Sequence, residues 1–524
     1  MCGITLYASQ QNTQKTQYNF YGMKCSHRGP DSTETKQIIQ GETNIFMVFH
    51  RLAINGLDKE SNQPMCLSSY PHITLICNGE IYNCQELAKQ YGFHLETGSD
   101  CEILIHLYNR LPVCDWIHQL DGVFSFAIID TEKHHITLGH DRIGIRPLYY
   151  TKGKQSLCVS SEMKCLSGMD EEIRLFPPGT FSIYNYKEDT IVYSQYFNIQ
   201  DYLKHYSIES SHSVLCQMIE RSLFQAVKKR MLSDRPIGCF LSGGIDSSII
   251  AYLMCKILGN NNVNTFSIGL PGSPDLESAK QVADFLQTNH TEVIVSENDL
   301  IEAIDPTIYH LESYDTTTIR ASVPMFVLSQ YINQNTDIVV MLSGEGADEA
   351  SGSYLYFHNA PNSNEFQKEC LRLIQDVQHF DVLRCDKTTA AHGLEVRVPF
   401  FDKDFLDMYL SIHPDHKMPM KGYEKYLLRK TFEPYLPKEI VWRKKDGFSD
   451  GISSHQKPWY SIIEDYAKQV IPGPLVVNNT YEETLFKDIF EKYYPGRGWI
   501  VPYIWLPKWS GDQTNPSGRL LMNT

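Results

Sequence analysis

"FLSGGIDSS", residues 240–248, joins an apolar run to a helical one through two glycines. A strand ending at Leu241 runs into Ser242-Gly243-Gly244, and a helix opens near Asp246 to Ser248. Paired glycines let an anion approach the backbone closely, while hydroxyls and the free N–H groups of a helix start point at it. The stretch therefore predicts a phosphate site at the end of a strand. It is not a Walker loop, because no Gly-Lys-Ser/Thr follows at the required spacing. Asp246 would repel a phosphate unless a cation lay between them, so the loop implies magnesium.

Around it, strands alternate with helices. "PIGCFL", "VNTFSIGL" and "HTEVIVS" read as strands, "SSIIAYLMCKIL" as a helix apolar all round and "PDLESAKQVADFLQ" as an amphipathic helix. That alternation predicts an α/β parallel sheet covered on both faces. A second acidic loop, "VVMLSGEGADEA", follows another apolar strand and brings Glu345, Asp348 and Glu349 to its end beside Ser343 and Gly344. Ligands of such sheets bind outside the carboxyl ends of the strands, so the two loops are expected to face one site. Beyond them the chain reads as helical, closing in an irregular tail of about thirty residues rich in Trp, Pro and Gly.

The first two hundred residues follow a different pattern. "CGITLYA", "TNIFMVFHRLAI", "HITLICNGEIY", "VFSFAIID", "HITLGHD", "PLYYT", "SLCVSS", "TFSIYN" and "TIVYSQYF" are short strands broken by polar turns, with few helical interruptions. They predict an α+β sandwich of two sheets. A chain of 524 residues exceeds a single ordinary core. Two domains are expected, 2–205 and 206–524.

The formal net charge of -15 disfavours nucleic acid or an anionic membrane as partner, and a small-molecule enzyme fits better. The sequence has no run of about eighteen apolar residues and no signal peptide, which predicts a cytoplasmic protein. Its fourteen cysteines are scattered without metal-site spacing and read mostly as reduced, buried small side chains. Cys2 stands apart, because removal of Met1 would place a thiol on the N-terminal residue.

"MCGI", "HRGPD", "HRLAI", "NGEIYN", "GSDCE", "LDGVFSFAIID", "SGGIDSS", "YDTTTIRAS", "SGEGADE", "GLEVRVPF" and "KKDGFSDG" occur in an order that resembles the glutamine-hydrolysing asparagine synthetase family. The resemblance runs from Cys2 to about Gly451 and joins two independent catalytic signatures. It implies a class II glutamine amidotransferase domain of the N-terminal-nucleophile fold, with two antiparallel sheets, followed by an ATP-pyrophosphatase-type synthetase domain with a helical C-terminal part. Cys2 would attack the amide of glutamine with its own α-amine accepting the proton, and Asn78 with the Gly79 N–H would hold the oxyanion. Glutamine would lie against Arg51, Leu52, Ala53, Ile54, Asn55, Glu80 and Asp100, with Arg51 on its α-carboxylate. Taken alone, Asn78-Gly79 reads as a hairpin turn, and its joint occurrence with the other motifs outweighs that reading.

In the second domain the resemblance places ATP against Leu241, Ser242, Gly243, Gly244, Asp246, Ser247, Ile268, Ser343 and Gly344. Aspartate would be activated as β-aspartyl-AMP and attacked by ammonia, releasing AMP and diphosphate. Glu345 would act as base and Lys445 would offset charge on the phosphates, with Asp246 and Asp348 on Mg2+. Thr317, Thr318, Arg320 and Asp348 would lie on the aspartate or diphosphate side. A homodimer is suggested by the same resemblance. Two alternatives stay open on sequence alone: a related amidotransferase acting on another carboxylate, and a catalytically silent regulatory homologue.

Overall fold

A computed structural model describes residues 1–10, 15–169, 171–203, 206–472, 480–511 and 515–517. The chain divides into two compact units. The first holds Met1–Asn198 with the short segments Leu232–Arg235 and Ala390–Glu395, and the second holds the remainder. The boundary expected near residue 205 falls on residues 204–205, outside the described residues, as does the end of the C-terminal tail from 518 onward.

Among the described residues the first unit is built on eleven strands: β1 (Gly3–Ser9), β2 (Ser32–Gln40), β3 (Thr43–Arg51), β4 (Ile73–Ile81), β5 (Gly122–Asp130), β6 (His135–His140), β7 (Tyr149–Gly153), β8 (Ser156–Ser160), β9 (Arg174–Leu175), β10 (Thr180–Asn185) and β11 (Thr190–Gln195). They form two antiparallel sheets, in the orders β2-β3-β1-β8-β7-β9 and β11-β10-β6-β5-β4. Alternate residues Ile4 and Leu6 of β1, Met47 and Phe49 of β3, Ile76 of β4 and Ala127 and Ile129 of β5 share one apolar layer between the sheets. The opposite face of β4 and β5, carrying Leu75, Cys77, Phe124, Phe126 and Ile128, packs with residues of helices Cys84–Tyr91 and Ile103–Arg110 and with Trp116. Strands covered on both faces need apolar residues at consecutive positions, which is why "VFSFAIID" shows no alternation. Polar β2 is an edge strand that nonetheless pairs fully with β3, from Ser32↔Arg51 to Gln40↔Thr43.

Asn78 and Gly79 are not a hairpin turn. They lie inside β4, opposite Ser125 and Phe124 of β5. A Cβ on Gly79 would stand 2.2 Å from the Val123 carbonyl oxygen, so only glycine lets the two strands pair here.

The second unit centres on β12 (Ile237–Phe240), β13 (Asn264–Gly269), β14 (Asn289–Ile294), β15 (Val340–Leu342) and β16 (Glu395–Arg397), in the order β14-β13-β12-β15-β16. The pairs β12–β13, β13–β14 and β12–β15 are parallel, as the alternation of strands and helices requires. Helices Ile245–Leu258, Pro274–Leu286 and Thr316–Asn335 connect them, and helices such as Ser363–Asp376, Lys403–Ser411, Trp459–Val470 and Tyr481–Tyr493 make up the later part. The first of these is buried at Ile249, Ile250, Ala251, Leu253 and Met254, in keeping with a sequence apolar all round. Among the described residues no helix is long and apolar enough to cross a membrane.

Gly79→Ala is expected to force β4 and β5 apart and to lower the stability of the first unit by about 1–3 kcal/mol. Denaturant unfolding followed by fluorescence checks it, and an unchanged midpoint would show that the strands accommodate the methyl group.

Candidate active sites

In the second unit β12 ends at Phe240, the turn Ser242-Gly243-Gly244 follows, and the helix begins at Ile245 with Gly244 as its N-cap. Ser248 Oγ donates to the Gly244 carbonyl at 2.7 Å, and Ser247 Oγ lies 3.2 Å from both the Ser242 hydroxyl and the Gly244 carbonyl. The acidic loop after β15 closes on this turn. A Cβ on Gly344 would come within 2.8 Å of the Ser247 backbone nitrogen.

Between the loops lies a cleft of about 1070 Å³, open to solvent. Leu241, Ser242, Gly244, Asp246, Ser247, Ile268, Ser343, Gly344, Glu345, Asp348 and Lys445 all line it. Gly243 forms the turn without lining the cleft.

Lys425, only 2% exposed, organises its charges. Its Nζ contacts Asp246 Oδ2 and stands 2.5 Å from Asp348 Oδ1, while Lys445 Nζ also pairs with Asp348 and lies 3.4 Å from Ser353 Oγ. Burial alone would raise the Asp348 carboxyl, but Lys425 and Lys445 together hold it well below the usual carboxylate range. Burial raises the carboxyl of Asp246, and the opposing pull of Lys425 does not cancel that effect. Asp246 Oδ1 is buried without a hydrogen-bond partner. A free carboxylate oxygen beside a second carboxylate suits magnesium, which is commonly bound by one or two carboxylates, several waters and substrate phosphates. Among the described residues no group of three or more His, Cys, Asp or Glu is arranged to hold a metal by itself.

Glu345, Asp348 and Lys445 also line a second chamber of about 910 Å³, with Thr317, Thr318, Tyr354, Asp381 and Arg384. Arg384 Nη2 is 2.8 Å from Glu345 Oε2 and 3.0 Å from Asp381 Oδ1. Burial raises the Glu345 carboxyl; Arg384 opposes that shift and Asp381 adds to it. The Thr317 hydroxyl is buried without a partner. Arg320 does not line the chamber. Its guanidinium is held by both oxygens of Glu482 and by Asn515 Oδ1.

In the first unit the Cys2 thiol points at the Leu52 carbonyl, 3.8 Å away, and burial pushes it up to about 11. The Cys2 carbonyl accepts a hydrogen bond from Arg28 Nε at 2.9 Å, and the electrostatic influence of Glu80 reaches the thiol. Burial lowers the Met1 amine to about 6. The Asn78 side chain is fully buried, and neither its Nδ2 nor its Oδ1 has a hydrogen-bond partner. Such a group costs roughly 1–3 kcal/mol unless something completes it. Asn55 Nδ2 donates to Glu80 Oε2 at 2.5 Å, and Asp100 Oδ2 accepts from the Ile81 N–H at 2.6 Å. Leu52, Ala53 and Ile54 continue from β3 as a buried segment, with Ala53 N–H bonded to Asp31 Oδ2 at 2.7 Å. Arg51 donates to the Asp58 carbonyl at 2.7 Å, to Asn62 Oδ1 at 2.5 Å and to the Gly56 carbonyl, all neutral oxygens.

Lys425 and Arg384 are absent from the residues singled out in the sequence. Lys425 opens "KYLLRKTFEPYL", which signals a helix, and it adopts a left-handed φ of 56° at the N-cap of helix Tyr426–Phe432. Neither that conformation nor the partners of Arg384 in "DVLRCDK" leave a local sequence signal.

Residues 1–196 match the glutamine amidotransferase domain family, and residues 218–369 and 359–499 match the asparagine synthase family. The chain is 39% identical over 557 residues to asparagine synthetase [glutamine-hydrolyzing] of Gallus gallus, and the alignment covers 99% of this chain and 98% of that protein. The protein of the same name from Homo sapiens is 39% identical over 561 residues, again covering 99% of this chain and 98% of its own length. The chain therefore couples a glutamine amidotransferase domain to a synthetase domain. It belongs to the family of glutamine-hydrolysing asparagine synthetases.

Lys425→Met is expected to destabilise the second unit by roughly 3 kcal/mol, because it leaves Asp246 and Asp348 buried without this cation. Adding Asp246→Asn should recover part of that loss. Denaturation midpoints of the single and double variants check both, and equal midpoints for Lys425→Met and the parent would contradict the pairing.

Proposed function

We propose that this chain makes asparagine from aspartate and ATP with ammonia released from glutamine, forming glutamate, AMP and diphosphate. The observation that carries the reading is that Glu345, Asp348 and Lys445 line both the cleft at the strand ends and the adjoining chamber. A reaction that begins at a phosphate and finishes at a carbonyl needs two such connected spaces.

In the first unit, Cys2 attacks the glutamine amide once Met1 has been removed. Before that the Cys2 nitrogen is part of a peptide bond and cannot accept a proton; afterwards it is an α-amine with an ordinary pKa of roughly 7.7–8.0. The unpartnered Asn78 amide is a donor available to the oxyanion. Ammonia leaves, and water hydrolyses the thioester to glutamate.

In the second unit, the adenylate of ATP lies against Leu241, Ile268, Ser343 and Gly344, with its phosphates at the turn after β12. The β-carboxylate of aspartate attacks the α-phosphorus and diphosphate departs, leaving β-aspartyl-AMP. Lys425 and Lys445 offset the charge that develops on the phosphates. Asp246 and Asp348 would hold magnesium, which when bound neutralises further phosphate charge. Thr317, Thr318 and Arg384 orient aspartate in the chamber; a guanidinium suits its α-carboxylate. Glu345, whose carboxyl is raised and therefore a stronger base than an exposed glutamate, takes a proton from the ammonium or the tetrahedral intermediate. AMP then leaves and asparagine remains.

Cys2→Ala should abolish glutamine-dependent asparagine formation and leave ammonia-dependent formation intact. Loss of both in a folded variant would refute this division of labour. Glu345→Gln should retain aspartate-dependent exchange of diphosphate into ATP while ammonia-dependent asparagine formation falls by about 10²–10⁴. A parallel loss of exchange would assign Glu345 to adenylation instead.

A further inference from the structure

The C-terminal tail reads as irregular in sequence, yet its described part is fastened to the chamber at three points. Trp505, 6% exposed, packs against Tyr354 and Tyr356 with ring centroids 5.2 and 6.1 Å away. Its backbone N–H donates to Asp315 Oδ1 at 2.7 Å. Asp315 is also the N-cap of helix Thr316–Asn335 and accepts from the Thr318 N–H at 2.9 Å. Further on, Asn515 Oδ1 accepts from Arg320 Nη1 at 2.9 Å and from the Ser517 N–H at 3.0 Å. Ser517 Oγ, itself buried, donates to Asp450 Oδ1 at 2.8 Å.

These partners belong to two different walls. Arg320 and Asp315 belong to the helix that presents Thr317 and Thr318. Asp450 belongs to the segment Gly447–Asp450 that follows Lys445 and lines the chamber beside it. Residues 515–517 therefore bridge the two, and Trp505, Pro507 and Pro516 form part of the chamber lining. Among the described residues of this stretch, those that line the chamber are Trp505, Pro507 and Pro516, none of which is a nucleophile or a general base. The stretch contributes apolar surface and two buried hydrogen bonds.

We infer that Asn515–Ser517 is a positioning clip that closes the acceptor chamber and keeps water from the acyl-adenylate. The inference rests on the adenylation reading above. An acyl-adenylate faces two nucleophiles. Attack by ammonia forms the C–N bond and expels AMP. Attack by water forms a C–O bond at the same carbon, expels the same AMP and returns aspartate, so that ATP is converted to AMP and diphosphate without product. Excluding water from such a site suppresses that side reaction. Arg320 has its guanidinium committed to Glu482 and Asn515, so on this reading it acts by holding the clip.

The full-length double variant Asn515→Ala/Ser517→Ala tests this with ammonia as nitrogen source, which bypasses Cys2. Diphosphate and asparagine are measured in the same reaction, alongside a thermal melt. The expected result is a several-fold rise in diphosphate released per asparagine formed, with KM for ATP unchanged and a single cooperative melt retained. Ser517→Thr, which keeps the hydroxyl that bonds Asp450, should hold the parental ratio. Pro516→Gly, which touches only the wall, provides a milder second case in which the same ratio should rise. Parental ratios in both altered proteins would overturn the clip while leaving the adenylation reading intact. Absence of any aspartate-dependent diphosphate release from the parent protein would remove the adenylation reading, and the clip with it.

Discussion

A lysine ammonium almost out of contact with water is the interaction on which the second unit depends. Removing such an ion from solvent costs several kcal/mol, and the cost is tolerated only where opposite charge and hydrogen bonds replace the lost water. Lys425 finds both in Asp246, in the first turn of the helix that follows β12, and Asp348, in the acidic segment after β15. One cation thus ties two loops that are far apart in sequence to the same end of the sheet. The close backbone approach at Gly344 follows from that convergence. The balance is incomplete by design of the geometry: Asp348 is held ionised by two lysines, while Asp246 keeps one oxygen unpartnered. Two lysines and a free carboxylate oxygen are the groups that the proposed reaction would set against phosphate and a cation.

The first unit meets a different constraint. Strands β4 and β5 are so fully covered that polar groups within them must be satisfied locally, and Asn78 is not. Pairing of β4 with β5 requires glycine at position 79, and the preceding side chain is thereby held rigidly in a dry environment. A preorganised donor of this kind needs no reorganisation when charge develops near it, which is the condition for electrostatic stabilisation. The Cys2 thiol sits where burial keeps it protonated, so the proposed attack requires a base.

Most strands were legible because sheets covered on both faces demand continuous apolar runs, and those runs stand out against polar turns. β2 escaped for the opposite reason. As a polar edge strand it is specified by its partner β3, through a register that no property of "STETKQIIQ" announces. The loops at 242–246 and 343–348 were equally legible, since glycines, hydroxyls and carboxylates at strand ends have few other uses. Arg320, grouped with Thr317 and Thr318 by the resemblance, points elsewhere. It lies three residues after Thr317 on the same helix, close to one turn, yet Glu482 draws its side chain away from the chamber that Thr317 lines.

By itself the sequence determined the two-part architecture, the apolar strands and the chemistry available at their ends, because backbone preference and hydrophobic pattern are local properties. Tertiary structure alone decided that Lys425 joins the two acidic segments, and that the tail reaches Arg320 and Asp450. Each of those outcomes depends on which distant groups share a space from which water is excluded. The electrostatic penalty of burial is set by that environment, and no short stretch of residues carries it.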